Sequence, residues 1–158
     1  MADAVLFLHL LGAFLFVSVA TVAAVSFEAA RRRKQPAEIA LLLGLARSGA
    51  LLALLGMVLV LAFGLWLVHL AHFGYGEGWI DAALGLLLTA VAIGAFGGRG
   101  PKRARRLAAS LAAEGRPANE ELQRLLSDPV SGLANYGSAL LAVAIVALMV
   151  WKPGASHP

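Results

Sequence analysis

Four long apolar runs, separated by polar segments, make up most of the chain. They extend over about residues 5–27, 50–72, 80–96 and 130–151. A helix rises 1.5 Å per residue, so about 20 apolar residues cross a hydrocarbon core of roughly 30 Å. The pattern predicts an all-α polytopic membrane protein: four transmembrane helices in an up-down bundle, forming one membrane domain over residues 1–158.

Two polar segments, 31–48 and 97–128, separate these runs and are expected to be interfacial or cytoplasmic. The stretch Gly97-Gly98-Arg99-Gly100-Pro101 predicts a firm end to the third helix, because proline and glycine interrupt helices. Beyond it, the pattern predicts two short amphipathic helices lying on the membrane surface. Asn119 is expected to cap the second of them.

The second apolar run poses a length problem. A helix from Ala37 to His72 would hold about 36 residues and measure about 54 Å, longer than a bilayer with its headgroups. Its first part is therefore expected to protrude or lie at the interface, with Arg47 extending to the headgroups. Within the span, Gly49, Gly56 and Gly64 fall within about 80° of one another, a strip that predicts close helix contact.

Composition supports a membrane location. Hydrophobic residues make up 60% of the chain and charged residues 14%, whereas soluble domains are commonly about 45–50% apolar. The chain has no cysteine, which excludes disulfides, thiolate metal sites and cysteine nucleophiles. The net charge of +4 does not indicate nucleic-acid binding, because the basic residues cluster beside apolar runs.

The distribution of basic residues predicts the orientation. Residues 31–47 hold five of them and residues 99–124 hold seven, while Lys152 stands alone on the other side. By the positive-inside rule, both polar segments face the cytoplasm of a bacterial inner membrane and both termini lie outside. A more specific alternative for the second segment is a sensor of anionic lipid or phosphoinositide. The residues expected to contact headgroups and set topology are Arg31, Arg32, Arg33, Lys34, Arg47, Lys102, Arg103, Arg105 and Arg106.

The histidines are the candidate ligands for a cofactor or a metal ion. His9 enters the first span from the outer side, and His69 and His72 end the second span on that side, so we expect the three to share one depth. His69 and His72 face similarly, away from the glycine strip. Imidazoles from two helices hold haem b in helical bundles, and three suit copper or zinc. The alternative is that these side chains extend their polar edges to interfacial water.

Two classes of function follow. The chain carries no hydrolase motif, and its span centres lack the ionisable residues that transporters place near the midplane. One hypothesis is a structural or accessory subunit that packs against a second copy or a larger membrane complex, in contact with the lipid bilayer. The other is a redox protein that binds haem or copper through His9, His69 and His72.

Short motifs along the chain resemble a known family. They are Leu8-His9-Leu10-Leu11-Gly12, Gly64-Leu65-Trp66-Leu67, Trp79-Ile80 and Leu148-Met149-Val150-Trp151-Lys152-Pro153-Gly154. Together they resemble the bacterial four-span predicted integral membrane proteins catalogued as domain of unknown function 2269. The first-span histidine is also similar to that of the CopD copper-resistance proteins and membrane protoporphyrinogen oxidases. That likeness implies copper handling or haem, but only His9 corresponds by position, and the oxidase-type lysine is missing from Ile80 to Phe96.

Overall fold

Helices account for nearly all of the residues that the structure, a computed structural model, describes. These are residues 1–70 and 78–151, without the side chain of Asn135. No strand occurs within these ranges. The helices are α1 (Ala2–Arg31), α2 (Pro36–Ser48), α3 (Ala50–Leu70), α4 (Gly78–Gly97), α5 (Arg99–Ala113), α6 (Glu120–Leu126) and α7 (Pro129–Trp151).

Among the described residues, four helical stretches are long and apolar enough to cross a membrane, which confirms the predicted number of spans and the all-α class. The first is α1, and the others join α2 to α3, α4 to α5 and α6 to α7. The dominant contacts are between α1 and α3 and between α4 and α7, so the spans form two antiparallel hairpins. The apolar spans of the two hairpins contact each other sparsely, mainly through α1 and α7, and the larger contact between the hairpins is that of α2 with α5.

The helix α4 ends at Gly97, within the predicted stretch, but the interruption is one residue long because α5 begins at Arg99. Gly98 has helical angles of φ −70° and ψ −8°, its N–H donates to Gly94 O, and the N–H of Lys102 donates to Gly98 O. The chain therefore keeps its direction from α4 into α5 across Gly98, and Pro101 falls in the first turn of α5, where a missing N–H is tolerated. These glycines instead allow close packing, because a Cβ at Gly97 would collide with Ala134 of α7.

At one end of the bundle, the last turns of α1 pack with α2, α5 and α6 around a hydrophobic core, and we call this assembly the cap. The sequence predicted helices lying on the membrane surface, but α5 continues α4 beyond the apolar span and packs on α2. The apolar side of the amphipathic helix α5 therefore faces other helices. The buried core consists of Phe27, Ala30, Ile39, Leu43, Ala104, Ala108, Leu111, Leu122 and Leu126.

Local signals in the sequence define the helix ends of the cap. The side-chain oxygen of Asn119 accepts from the Leu122 N–H at 2.9 Å, which confirms the predicted cap of α6. Gly115 ends α5 with φ +64°, a conformation that glycine adopts without strain. Asp128 caps α7, and hydrogen bonds from the Ser131 hydroxyl and N–H lower the pKa of that carboxyl.

The predicted glycine strip is the contact surface between α3 and α1. A Cβ at Gly56 would lie 2.8 Å from the backbone nitrogen of Phe16 and 2.9 Å from the carbonyl oxygen of Gly12. Gly49 packs in the same way against Val19. Because the obstructing atoms at Gly56 include backbone, they cannot move aside cheaply, and glycine is required for this helix separation.

We predict that Gly56→Ala lowers the free energy of unfolding by about 1–3 kcal/mol, the usual cost of overpacking a closed contact. The control is Gly85→Ala on α4, where a Cβ meets no atom within 4 Å and alanine favours the helix by about 0.8–1 kcal/mol. Unfolding of the purified protein in mixed micelles measures both. Equal stability of the two variants would contradict the close contact.

Candidate functional site

His9 is fixed between α1 and α3. Its Nδ1 lies 3.1 Å from the carbonyl oxygen of Val60, and because an oxygen only accepts, Nδ1 must carry the proton and donate. The Nδ1–Cε1 edge packs on Gly64, where a Cβ would lie 3.0 Å from Cε1. In the tautomer that makes this bond, Nε2 carries no proton, the arrangement found in many metal-binding histidines.

The structure does not bring His9 and His69 together. His69 follows Gly64 by five residues and Val60 by nine, which places it about 140–180° around α3 from the residues that contact His9. It is also about 7.5 Å further along the helix than Gly64, so the two imidazoles do not share the depth expected from the sequence. His69 is exposed.

The third candidate ligand, His72, lies outside the described residues. Within residues 1–70 and 78–151, no three His, Cys, Asp or Glu side chains are grouped so that they could hold a metal ion. His9 is thus the one predicted ligand that the structure shows fixed by a backbone hydrogen bond.

The first basic block is largely engaged in ion pairs. Arg31 and Arg32 both bond to Glu28, with nitrogen–oxygen distances of 3.5 Å and 3.1 Å. Arg33 lies 3.6 Å from a carboxylate oxygen of Glu38, and Lys34 is exposed. Intramolecular carboxylates therefore neutralise part of this block.

The other residues predicted to contact headgroups are Arg47, Lys102, Arg103, Arg105 and Arg106, and they differ from this block in their pairing. Four of them line one opening: Arg47, Lys102, Arg105 and Arg106. In the described part of the chain, none of these four forms an ion pair. Arg103 is exposed on the same helix and does not line this opening.

The opening leads into a cleft of about 780 Å³ between the two hairpins. The cleft was not expected from the sequence. The sequence does contain one indication of the cleft, because each span has small residues towards its cap end. Whether those residues line one cavity depends on how the hairpins are joined. The small lining residues include Ala20, Ala23, Ala50, Ala53, Ala90, Gly94, Ala134 and Ser138.

Four apolar spans, an all-helical bundle and a basic cap at one end define a polytopic integral membrane protein. The chain belongs to the family of predicted integral membrane proteins designated DUF2269, whose sequence profile matches residues 3–153. The resemblance found in the short motifs is thereby confirmed. Comparison with curated proteins and with solved structures gave no match.

Proposed function

We propose that the protein is a structural or accessory subunit that assembles laterally with other membrane helices. The observation that carries this proposal is the small internal contact of the spans. In the most apolar part of each one, between 6 and 22% of the residues are buried within the chain. Most of the span surface is therefore available to neighbouring spans, and lipid covers what they leave.

The outward face of α1 is the surface we propose for assembly. Phe7, Leu10 and Phe14 are 64, 56 and 69% exposed, and their spacing of three and then four residues places them on one stripe. This spacing is the one by which side chains of one helix insert between those of another. The stripe lies on the side of α1 away from Gly12, and thus away from α3.

Cysteine crosslinking tests the assembly. The chain has no cysteine, so Phe14→Cys introduces a single thiol on the stripe, and Leu140→Cys places one on α7, at 71% exposure, as the control. We predict that oxidation in native membranes gives a crosslinked dimer with Phe14→Cys and at least about five-fold less with Leu140→Cys, because facing thiols must approach to about 6 Å between Cα atoms.

If the protein instead belongs to a larger complex with one copy of this chain, no such dimer forms. The protein then co-purifies, in mild detergent, with other membrane proteins in a fixed ratio. A chain that is monomeric, uncrosslinked and free of stoichiometric partners would contradict the accessory role.

We place the protein in a bacterial inner membrane, with the cap in the cytoplasm and both termini outside. The support is the concentration of basic residues in the cap-forming segments. Maleimide labelling of intact spheroplasts tests this orientation with Ala2→Cys and Ser110→Cys, both at exposed positions. Labelling at residue 2, with protection at residue 110 until the membrane is permeabilised, is expected. The reverse pattern would overturn the orientation.

The second candidate function is haem or copper binding, and the hydrogen bond of His9 is the observation that favours it. Donation from Nδ1 to Val60 O orients the ring and leaves Nε2 as a ligand atom. Haem or copper bound there would supply one-electron transfer. A further ligand would have to come from His72 or from a second copy, because His69 lies on the other side of α3.

We predict for this candidate that protein purified without added cofactor shows a Soret band that shifts on dithionite reduction, or stoichiometric copper. His9→Ala removes either signal, whereas His69→Ala retains it. His9→Ala loses about 1 kcal/mol of stability with its hydrogen bond whether or not a cofactor binds. The spectrum and the metal content, rather than stability, therefore test cofactor binding. Colourless, metal-free wild-type protein would contradict the candidate.

A further inference from the structure

We infer that the cleft between the hairpins binds one anionic phospholipid, with its phosphate at the basic opening and acyl chain among the small residues. The site goes beyond the proposed assembly role and does not depend on it. Three features of the cleft carry the inference: the charge at its opening, its depth and its empty apolar interior.

The charge comes from two helices that meet at the opening. Arg47 ends α2, and Lys102, Arg105 and Arg106 lie in α5. Like charges placed together repel one another, and an anion removes this cost. Arginine and lysine bond to phosphate oxygens through short, charge-assisted hydrogen bonds.

Acidic groups of the described residues do not occupy this opening. Two carboxylates lie close in sequence to lining residues: that of Glu28, which follows Phe27 on α1 and pairs with Arg31 and Arg32, and that of Asp128, at the start of α7. The oxygens of Asp128 accept bonds from Val130 and Ser131 in the first turn of that helix. Hydrogen bonding there lowers the pKa of Asp128. Because Glu28 is already paired with two arginines outside the lining, the four unpaired cations still exceed the one remaining carboxylate.

The depth of the cleft matches one leaflet. From the cations towards the middle of the spans, its lining runs along the α2–α3 helix from Arg47 to Met57 and along the α4–α5 helix from Lys102 back to Ala90, and in the other direction it extends to Leu43 and Arg106. These stretches of ten and twelve residues measure about 15–18 Å, roughly half of a hydrocarbon core of about 30 Å. A phosphate at the cationic end therefore places an acyl chain along the cleft as far as the bilayer centre.

The cleft as a whole is large enough for part of a lipid. Its volume of about 780 Å³ falls within the range of ligand sites, about 300–1,000 Å³. Gly94 lines the cleft, and a Cβ built on it meets no atom within 4 Å. A helix from another protein fits these observations less well, because an apolar helix leaves the four cations at the opening without an anion.

Titration of the delipidated, full-length protein with lipid tests whether the cations at the opening bind the phosphate. Native mass spectrometry compares phosphatidylglycerol with phosphatidylcholine of the same acyl chains. We expect one saturable phosphatidylglycerol per chain, bound about ten-fold more tightly than phosphatidylcholine, and about ten-fold weaker binding in Lys102→Gln/Arg105→Gln. The control Arg103→Gln/Arg124→Gln removes the same charge from exposed positions outside the cleft and should stay within about two-fold of wild type.

A second pair of variants tests the interior without altering charge. Gly94→Leu fills the cleft, whereas Gly85→Leu adds the same side chain on the exposed face of the same helix, also in open space. We expect Gly94→Leu to reduce phosphatidylglycerol binding by about ten-fold and Gly85→Leu to leave it unchanged. Circular dichroism and gel filtration confirm that each variant is folded before it is titrated.

Four outcomes would overturn the inference. Equal binding of the two lipids removes the role of the cations, and equal loss in both charge variants assigns the effect to net charge alone. Displacement of phosphatidylglycerol by an equal concentration of glycerol phosphate identifies a free-phosphate site instead. Efficient crosslinking of two copies through Gly94→Cys shows that a second chain, and not lipid, covers the cleft.

Discussion

The hydrophobic core of the cap is the interaction on which the rest of the molecule depends. Burial of apolar side chains stabilises only where water is the alternative, and lipid offers no such gain to the spans. The chain follows this rule: residues such as Ile39 and Leu122 are almost fully covered in the cap, while the spans bury little. The cap therefore joins the two hairpins, and close glycine contact, rather than hydrophobic burial, organises α1 against α3.

Much of the fold follows from local sequence. Apolar length gave the four spans, the angular spacing of Gly49, Gly56 and Gly64 gave the α3 contact face, and Asn119 gave a helix start. At the junction Gly97–Pro101, the sequence predicted the end of α4 but not its immediate continuation as α5, because glycine has two opposite uses. It ends a helix when alone, but it permits close packing when a partner such as Ala134 lies against it, and that partner is distant in sequence.

The candidate sites were harder to predict from the sequence for the same reason, because they depend on partners that are distant in the chain. His9 was identifiable as an isolated polar side chain in an apolar run, but its partner is a backbone carbonyl, that of Val60, and every residue carries one. The basic residues were predicted individually as headgroup contacts. Whether they converge depends on α2 lying beside α5, and the pairing of Arg31 and Arg32 with Glu28, against the unpaired state of Lys102, emerges only from the folded chain.

The continuity of α2 with α3, and of α4 with α5, has a mechanical consequence. Each is a nearly unbroken rod that runs from the membrane into the cap, where the two rods are in contact. Since only Gly49 and Gly98 interrupt these two stretches, a change in the angle between the hairpins requires bending at those residues or repacking of the cap. The cap thus sets the angle between the two hairpins, and the packing of α2 on α5 resists a tilt of one hairpin relative to the other.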